Sequence, residues 1–292
     1  MANGESPQKE LERLRAELER IRSDAAGDAY RRTLLARHDL RPYTLDYVER
    51  LFQGFSEIHG DRRFADDPAI VAGMALYHGT PVMVVGHQKG RDLKQRQYRN
   101  FGCPQPEGYR KALRAMKLAD KFRRPIICFV DTPGAYPGMG AEERGQAEAI
   151  AFNLREMSRF RVPVIVCVIG EGGSGGALGI AVGNYVLMQE NAIYTVITPE
   201  GCSAILWKDQ QHVAEAAAAL KITASDLKAL GVIDAVVPEP PGGAHTDYDA
   251  AADYLDRQLR PNLESLMAKS ELELRDHRYE RFRRLGSVSE RT

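Results

Sequence analysis

The apolar run Val162-Pro-Val-Ile-Val-Cys-Val-Ile169, which leads straight into Gly170-Glu-Gly-Gly-Ser-Gly-Gly176, decides the fold class of this chain. An unbroken, largely β-branched run of this length reads as a strand buried on both faces, the signature of a parallel sheet. The glycines that follow read as a turn, and Ala177–Val182 as a short helix. The same order stands one unit upstream: the strand Pro125–Val130, the turn Asp131-Thr-Pro-Gly-Ala-Tyr-Pro-Gly-Met-Gly140, and a long helix over Ala141–Phe160. Further out, Ile70–Tyr77 and Val82–Val85 flank the turn signal His78-Gly-Thr-Pro81, and a helix is expected from about Glu107 to Phe122. Downstream lie strands at Tyr185–Met188, Ile193–Ile197 and Val232–Val237, with helices at Leu206–Leu220 and Ser225–Leu230. Successive strand–turn–helix units predict an α/β layered core. Helical extensions are expected at both ends. Leu11, Leu14, Leu18 and Ile21 form a coiled-coil-like stripe in Glu10–Arg22, and a second helix is expected from Thr44 to about Phe55. The predicted division is 1–65, 66–240 and 241–292.

The 292 residues carry 40 Lys+Arg against 40 Asp+Glu, 43% apolar residues and 27% charged ones. These are globular proportions, which exclude a wholly disordered or fibrous chain. Balanced charge removes any global case for nucleic-acid binding. No run approaches the roughly 18 apolar residues of a membrane span, and Met1–Arg20 has neither an apolar signal core nor an acid-poor composition. A soluble, cytoplasmic protein without membrane contact is expected. Cys103, Cys128, Cys167 and Cys202 are too scattered for zinc or redox spacing and read as reduced structural thiols, so no metal is expected in this chain.

Seven glycines fall between Gly170 and Gly183. Glycine is needed where backbone must approach a ligand closely, and amides opening a helix lack intrahelical acceptors. Three readings fit. Gly170-x-Gly172-x-x-Gly175 matches a dinucleotide fingerprint, with Glu190 near the acidic position. Gly172-Gly-Ser174-Gly-Gly176 matches a nucleophile elbow, for which Asp234 and His245 are the available partners. The third is a serine-independent oxyanion hole in which the Gly175 and Gly176 amides stabilise an enolate or a ureido oxygen.

Asp131-Thr-Pro-Gly134 is like a GTPase metal-and-phosphate loop, but no G-x-x-x-x-G-K-[ST] occurs to cradle phosphates. Ala115-Met-Lys-Leu118 matches the biotin-attachment tetrapeptide, yet Lys117 falls mid-helix rather than on a hairpin. Lys89–Arg114 holds Lys89, Arg91, Lys94, Arg96, Arg99, Arg110, Lys111 and Arg114 against Asp92 and Glu107. Such a segment is either a solvated face or a site for carboxylates or phosphates.

Five motifs carry a specific resemblance: Gly86-His-Gln-Lys-Gly-Arg91, Phe101-Gly-Cys-Pro-Gln-Pro-Glu-Gly-Tyr-Arg-Lys111, Asp131-Thr-Pro-Gly-Ala-Tyr-Pro-Gly138, Ala141-Glu-Glu-Arg-Gly-Gln146 and Gly170-Glu-Gly-Gly-Ser-Gly-Gly-Ala177. Arg41–Tyr47, Pro199–Trp207 and Pro238–His245 extend it. Across about Arg41 to His245 the chain resembles the α subunits of the carboxyltransferase of multisubunit acetyl-CoA carboxylase. The resemblance implies a ClpP/crotonase-like superhelix of ββα units. It implies transfer of a carboxyl group from carboxybiotin, borne on a separate biotin carboxyl carrier protein, to acetyl-CoA. The product would be malonyl-CoA, the first committed intermediate of fatty acid synthesis. A β subunit would supply most of the CoA pocket and a zinc domain in an α2β2 heterotetramer, with biotin carboxylase in the wider complex. On this chain, the Gly175 and Gly176 amides would form the ureido oxyanion hole, and biotin nitrogen itself could take the acetyl proton. Gly134 and Ala135 would line the neighbouring wall; Gly172, Gly173, Lys89, Arg91 and Arg99 would complete the substrate side.

Overall fold

A computed structural model describes residues 24–286. A single sheet organises the chain. Its strands are β1 (Gln53–Glu57), β2 (Ile70–Tyr77), β3 (Thr80–His87), β4 (Ile126–Thr132), β5 (Val164–Gly173), β6 (Tyr185–Gln189), β7 (Ile193–Thr195) and β8 (Ala235–Val237). They lie in the order β1-β2-β3-β4-β5-β6-β8, with β7 paired to the far end of β5. β1, β2 and β3 are antiparallel; from β3 onward every pairing is parallel.

The continuous apolar runs have the predicted cause. In β4, Ile126, Cys128 and Val130 join one apolar layer, while Ile127 and Phe129 join the other; in β5, Val164, Val166 and Val168 alternate likewise with Ile165, Cys167 and Ile169. Each face is roofed by helices. The first layer is closed by α4 (Pro106–Lys121), α6 (Gln146–Met157), α7 (Ser174–Leu178) and α10 (Ala224–Ala229), and the second by α2 (Thr44–Leu51), α11 (Tyr248–Met267) and α12 (Glu271–Arg283). The remaining helices are α1 (24–36), α3 (Leu93–Tyr98), α5 (Met139–Glu143), α8 (Pro199–Leu206) and α9 (Val213–Ala219).

Several boundaries differ from expectation. The helix expected to reach Phe55 ends at Leu51, because the next residues pair with β2 as β1. The helix expected over Ala141–Phe160 is two, broken where Gly145 takes φ +83°. The helix expected over Leu206–Leu220 is likewise divided, between α8 and α9. The stripe in Glu10–Arg22 lies outside the described residues.

Buried arginines pin β5 and β6 at their two ends. Arg41 donates to Ile169 O, to Gln189 and to both oxygens of Glu239, all out of solvent. Near the other end, Arg278 on α12 is 1% exposed and donates to Met157 O, Phe160 O, Val162 O and Asn184 Oδ1. Burial outweighs the attraction of Asp120 and draws this guanidinium down to about 10.

Candidate active site at the glycine-rich turn

Strand β5 does not stop at Ile169. It continues through Gly173, since Glu171, Gly172 and Gly173 pair with Ile193, Tyr194 and Thr195 of β7. The expected turn over Gly170–Gly176 is thus compressed into one reversal at Ser174, a non-glycine residue at φ +49°. The dinucleotide reading fails on this ground, because its first two glycines sit inside a strand. Helix α7 starts at the reversal with no side-chain cap, so the amides of Ser174, Gly175 and Gly176 have no intrahelical acceptor.

A second backbone faces this turn. β4 ends in Thr132, whose hydroxyl accepts from Gly134 N and donates to Gly134 O, fixing Pro133–Ala135 as a tight loop. The two segments touch closely. A Cβ on Gly173 would lie 2.1 Å from Pro133 O, and one on Gly176 would lie 2.4 Å from Gly134 C and 2.5 Å from Ala135 N. Only glycine fits there. Gly175 is different: its Cβ would meet nothing nearer than Ile150 Cδ1 at 3.7 Å. From behind, Tyr109 Oη donates to Gly176 O at 3.2 Å, and Asn153 holds Tyr109 O and Gly179 O.

His87, at the end of β3, is fully buried against the backbone of Phe129 and Gly176. Its Nδ1 accepts from Asp131 N–H at 3.4 Å, and its Nε2 has no hydrogen-bond partner among the described residues. Burial pushes the ring down to about 3, so it is neutral. Beside the turn opens an apolar cavity of about 300 Å³, lined by Ser174, Leu178, Tyr194, Thr195, Val196 and Phe282 among others. On the far side of Pro133 lies a polar one of about 240 Å³, lined by Arg37, Tyr43, Lys89, Phe101 and Glu171 among others.

The basic residues fare unequally. Lys89 does approach the turn, but its ammonium is shared between Asp131 and Glu171. Arg91 bonds Asp46 and stacks over the Tyr43 ring, and Arg99 donates to Pro68 O. Much of the rest of the basic segment staples the acidic loop before β2: Arg110 to Asp61, Lys111 to Asp66, Arg114 to His59 O and Gly60 O. It is neither a bare solvated face nor a free anion site.

The hydrolase reading loses its partners. Asp234 Oδ2 is taken by Val186 N–H and Arg281, while His245 stacks on His38, so no hydrogen bond joins either to Ser174. Among the described residues no cluster of three or more His, Cys, Asp or Glu side chains is arranged to hold a metal ion. Asp131 and Glu171 belong to the quoted motifs, but nothing in their spacing signals that they meet at one lysine.

The family model described as acetyl co-enzyme A carboxylase carboxyltransferase-like matches residues 2–286. A protein of Syntrophotalea carbinolica named acetyl-coenzyme A carboxylase carboxyl transferase subunit alpha is 58% identical over 284 residues, covering 96% of this chain and 90% of its own. One of the same name from Geobacillus kaustophilus is 57% identical, covering 96% and 87%. Among solved structures, the transcarboxylase 12S core with methylmalonyl-coenzyme A bound superposes with TM-score 0.63 at 20% identity, over 78% of this chain and 42% of that one.

Proposed function

The chain belongs to the family of acetyl-CoA carboxylase carboxyltransferase α subunits, and from that premise we propose that its catalytic contribution is the backbone site formed by the Gly175 and Gly176 amides against Gly134 and Ala135. The fold is crotonase-like. The protein is a biotin-dependent carboxyltransferase subunit that passes a carboxyl group to acetyl-CoA, giving malonyl-CoA, in concert with a β partner. The finer reading is an α2β2 assembly in the cytoplasm. In it a β subunit with its own zinc domain supplies most of the CoA pocket, a separate carrier protein delivers carboxybiotin, and biotin carboxylase belongs to the wider complex. The same reading keeps the division 1–65, 66–240 and 241–292, with the site in the 66–240 core.

The residues present suit a flat ureido ring. Gly176 and Gly134 bring no side chain to their contact, where Gly176 also meets Ala135 N, and the opening amides of α7 have neither a side-chain cap nor an intrahelical acceptor. When bound, biotin supplies the carboxyl group and a ureido oxygen on which negative charge gathers as that group leaves. The chain's own part is electrostatic. Fixed N–H donors of Gly175 and Gly176 stabilise that charge, and in a water-poor site one such donor contributes about 2.7–4 kcal/mol. Neutral His87 behind the turn adds no competing ionic charge. Gly173 keeps β5 low enough for Pro133 to close over it, and Gly172 leaves room for the Tyr194 ring of β7. The observation that carries this reading is the contact of Gly176 with Gly134–Ala135, which brings both backbones to one point.

The test is to assay carboxylation of free biotin from malonyl-CoA with the purified chain, alone and with its β partner. Turnover only in the mixture is expected; full activity from this chain alone would contradict the shared site.

A further inference from the structure

Beneath the two facing backbones lies a buried charge cluster that the chemistry above leaves unused. Lys89 Nζ stands 2.7 Å from Asp131 Oδ1 and 2.9 Å from Glu171 Oε1. Asp131 is on β4 and Glu171 on β5, at a fault in their ladder: Val130 pairs with Val168, but Thr132 pairs with Gly172. β5 therefore carries two more residues than β4 across this interval, and bulges. Asp131 Oδ1 fills the gap. It accepts Glu171 N–H at 2.9 Å, and a Cβ on Gly170 would lie 2.3 Å from it. Glu171 is held from its other side by Arg37 at 2.7 Å, and Arg37 also bonds Glu200.

Two carboxylates within reach of one ammonium repel each other strongly where water is excluded. Burial by itself would lower the Lys89 ammonium, yet its two partners outweigh it and hold the group above its ordinary range. Burial also opposes ionisation of Glu171, but Lys89 and Arg37 keep that carboxyl below its usual value. For Asp131, burial wins and lifts the carboxyl above the usual value despite Lys89. The side chain of Lys89 is only 13% exposed. To bind a substrate carboxylate it would have to release one of these partners.

We propose that Lys89 is a positioning residue: it holds the bulge of β5 against the end of β4, and so sets the spacing between the Gly175–Gly176 amides and the Gly134–Ala135 wall. The lever arms are short, since Gly134 lies three residues past Asp131, and Gly175 four past Glu171. The inference rests on the oxyanion-site reading given above.

Its test uses the complex with the β partner, free biotin and malonyl-CoA, reading kcat and each KM separately. Lys89→Met is expected to lower kcat about a hundredfold, as displacement of reacting groups by about 1 Å does, with both KM values little changed. The double variant Lys89→Met/Glu171→Gln removes the repulsion along with the cation, and is expected to recover kcat to within about tenfold of wild type. A raised KM for biotin without recovery in the double variant would overturn the proposal and make Lys89 a substrate contact. Unchanged kcat in Lys89→Met would overturn it too. Should Lys89→Met fail to assemble, the double variant decides, and its inactivity from any cause counts against the proposal. Gly176→Ala assayed alongside separates the two readings. If it keeps full turnover, the oxyanion site is wrong; if it loses turnover while the double variant does not recover, only the role of Lys89 falls.

Discussion

Substituting Gly176 by alanine is the sharpest test of the two-backbone site. An added Cβ would sit 2.4 Å from Gly134 C, 2.5 Å from Ala135 N and 2.8 Å from Gly134 Cα, whereas ordinary contact begins at 3.4 Å. All three atoms are backbone, so no side chain can swing away. The wall and the turn must part by about 1 Å, a displacement that costs about a hundredfold in turnover when it separates reacting groups. The fold should survive. Overpacking costs about 1–3 kcal/mol, part of which the better helix propensity of alanine offsets, by up to about 1 kcal/mol. Gly175→Ala is the internal control, since its Cβ meets only Ile150 Cδ1 at 3.7 Å. In the malonyl-CoA-dependent carboxylation of biotin by the assembled complex, kcat should fall about a hundredfold for Gly176→Ala and only a few-fold for Gly175→Ala. Equal losses in the two variants, or wild-type turnover in assembled Gly176→Ala, would refute the reasoning.

Three further outcomes follow from the same geometry. Ser174→Ala should change kcat less than about threefold, because the charge is held by amides worth far more than this unpartnered hydroxyl; a loss of about a thousandfold would restore a serine nucleophile. His87 has a folded pKa of about 3 against 6.5 unfolded, so as pH falls below 6.5 the unfolded chain takes up the proton first and stability drops. Urea unfolding at pH 7 and pH 5 should therefore show wild type losing about 2 kcal/mol relative to His87→Asn, and an unchanged difference would place the ring in contact with water. Arg278→Met removes the guanidinium from three buried carbonyls and the Asn184 amide oxygen, leaving Asn184 Oδ1 only Val164 N–H and Met157 O only Phe160 N–H, and should cost about 3 kcal/mol in the same measurement; a cost below about 1 kcal/mol would mean that water replaces the guanidinium.

What could be read from the sequence is what local chemistry determines. The runs at Pro125–Val130 and Val162–Ile169 are apolar at every step because both faces of β4 and β5 are roofed. The glycine turn is equally visible, as is the short helix over Ser225–Leu230 that the structure shows as α10. The extension of β5 through Gly173 was not, because the backbone partners that make it a strand come from β7, some twenty residues later. The acceptors of the basic segment escaped notice for the same reason. Lys89 meets Glu171 82 residues away, and Arg110 meets Asp61 49 residues earlier. Charge patterning within one window reports a run of cations, not the acids that will neutralise them. Separation along the chain, not chemical ambiguity, set the limit.

The two buried arginines at the ends of β5 and β6 bear on how such a chain is made. A ribosome releases the strands of the sheet in order, yet Val162 O and Asn184 wait for a guanidinium 116 and 94 residues downstream, and Ile169 O is met by one that emerged long before. The segments that lead into β5 and β6 therefore gain their last buried bonds only when nearly the whole polypeptide has left the exit tunnel. Premature termination anywhere before residue 278 should accordingly yield material fit for proteolysis, not a trimmed enzyme.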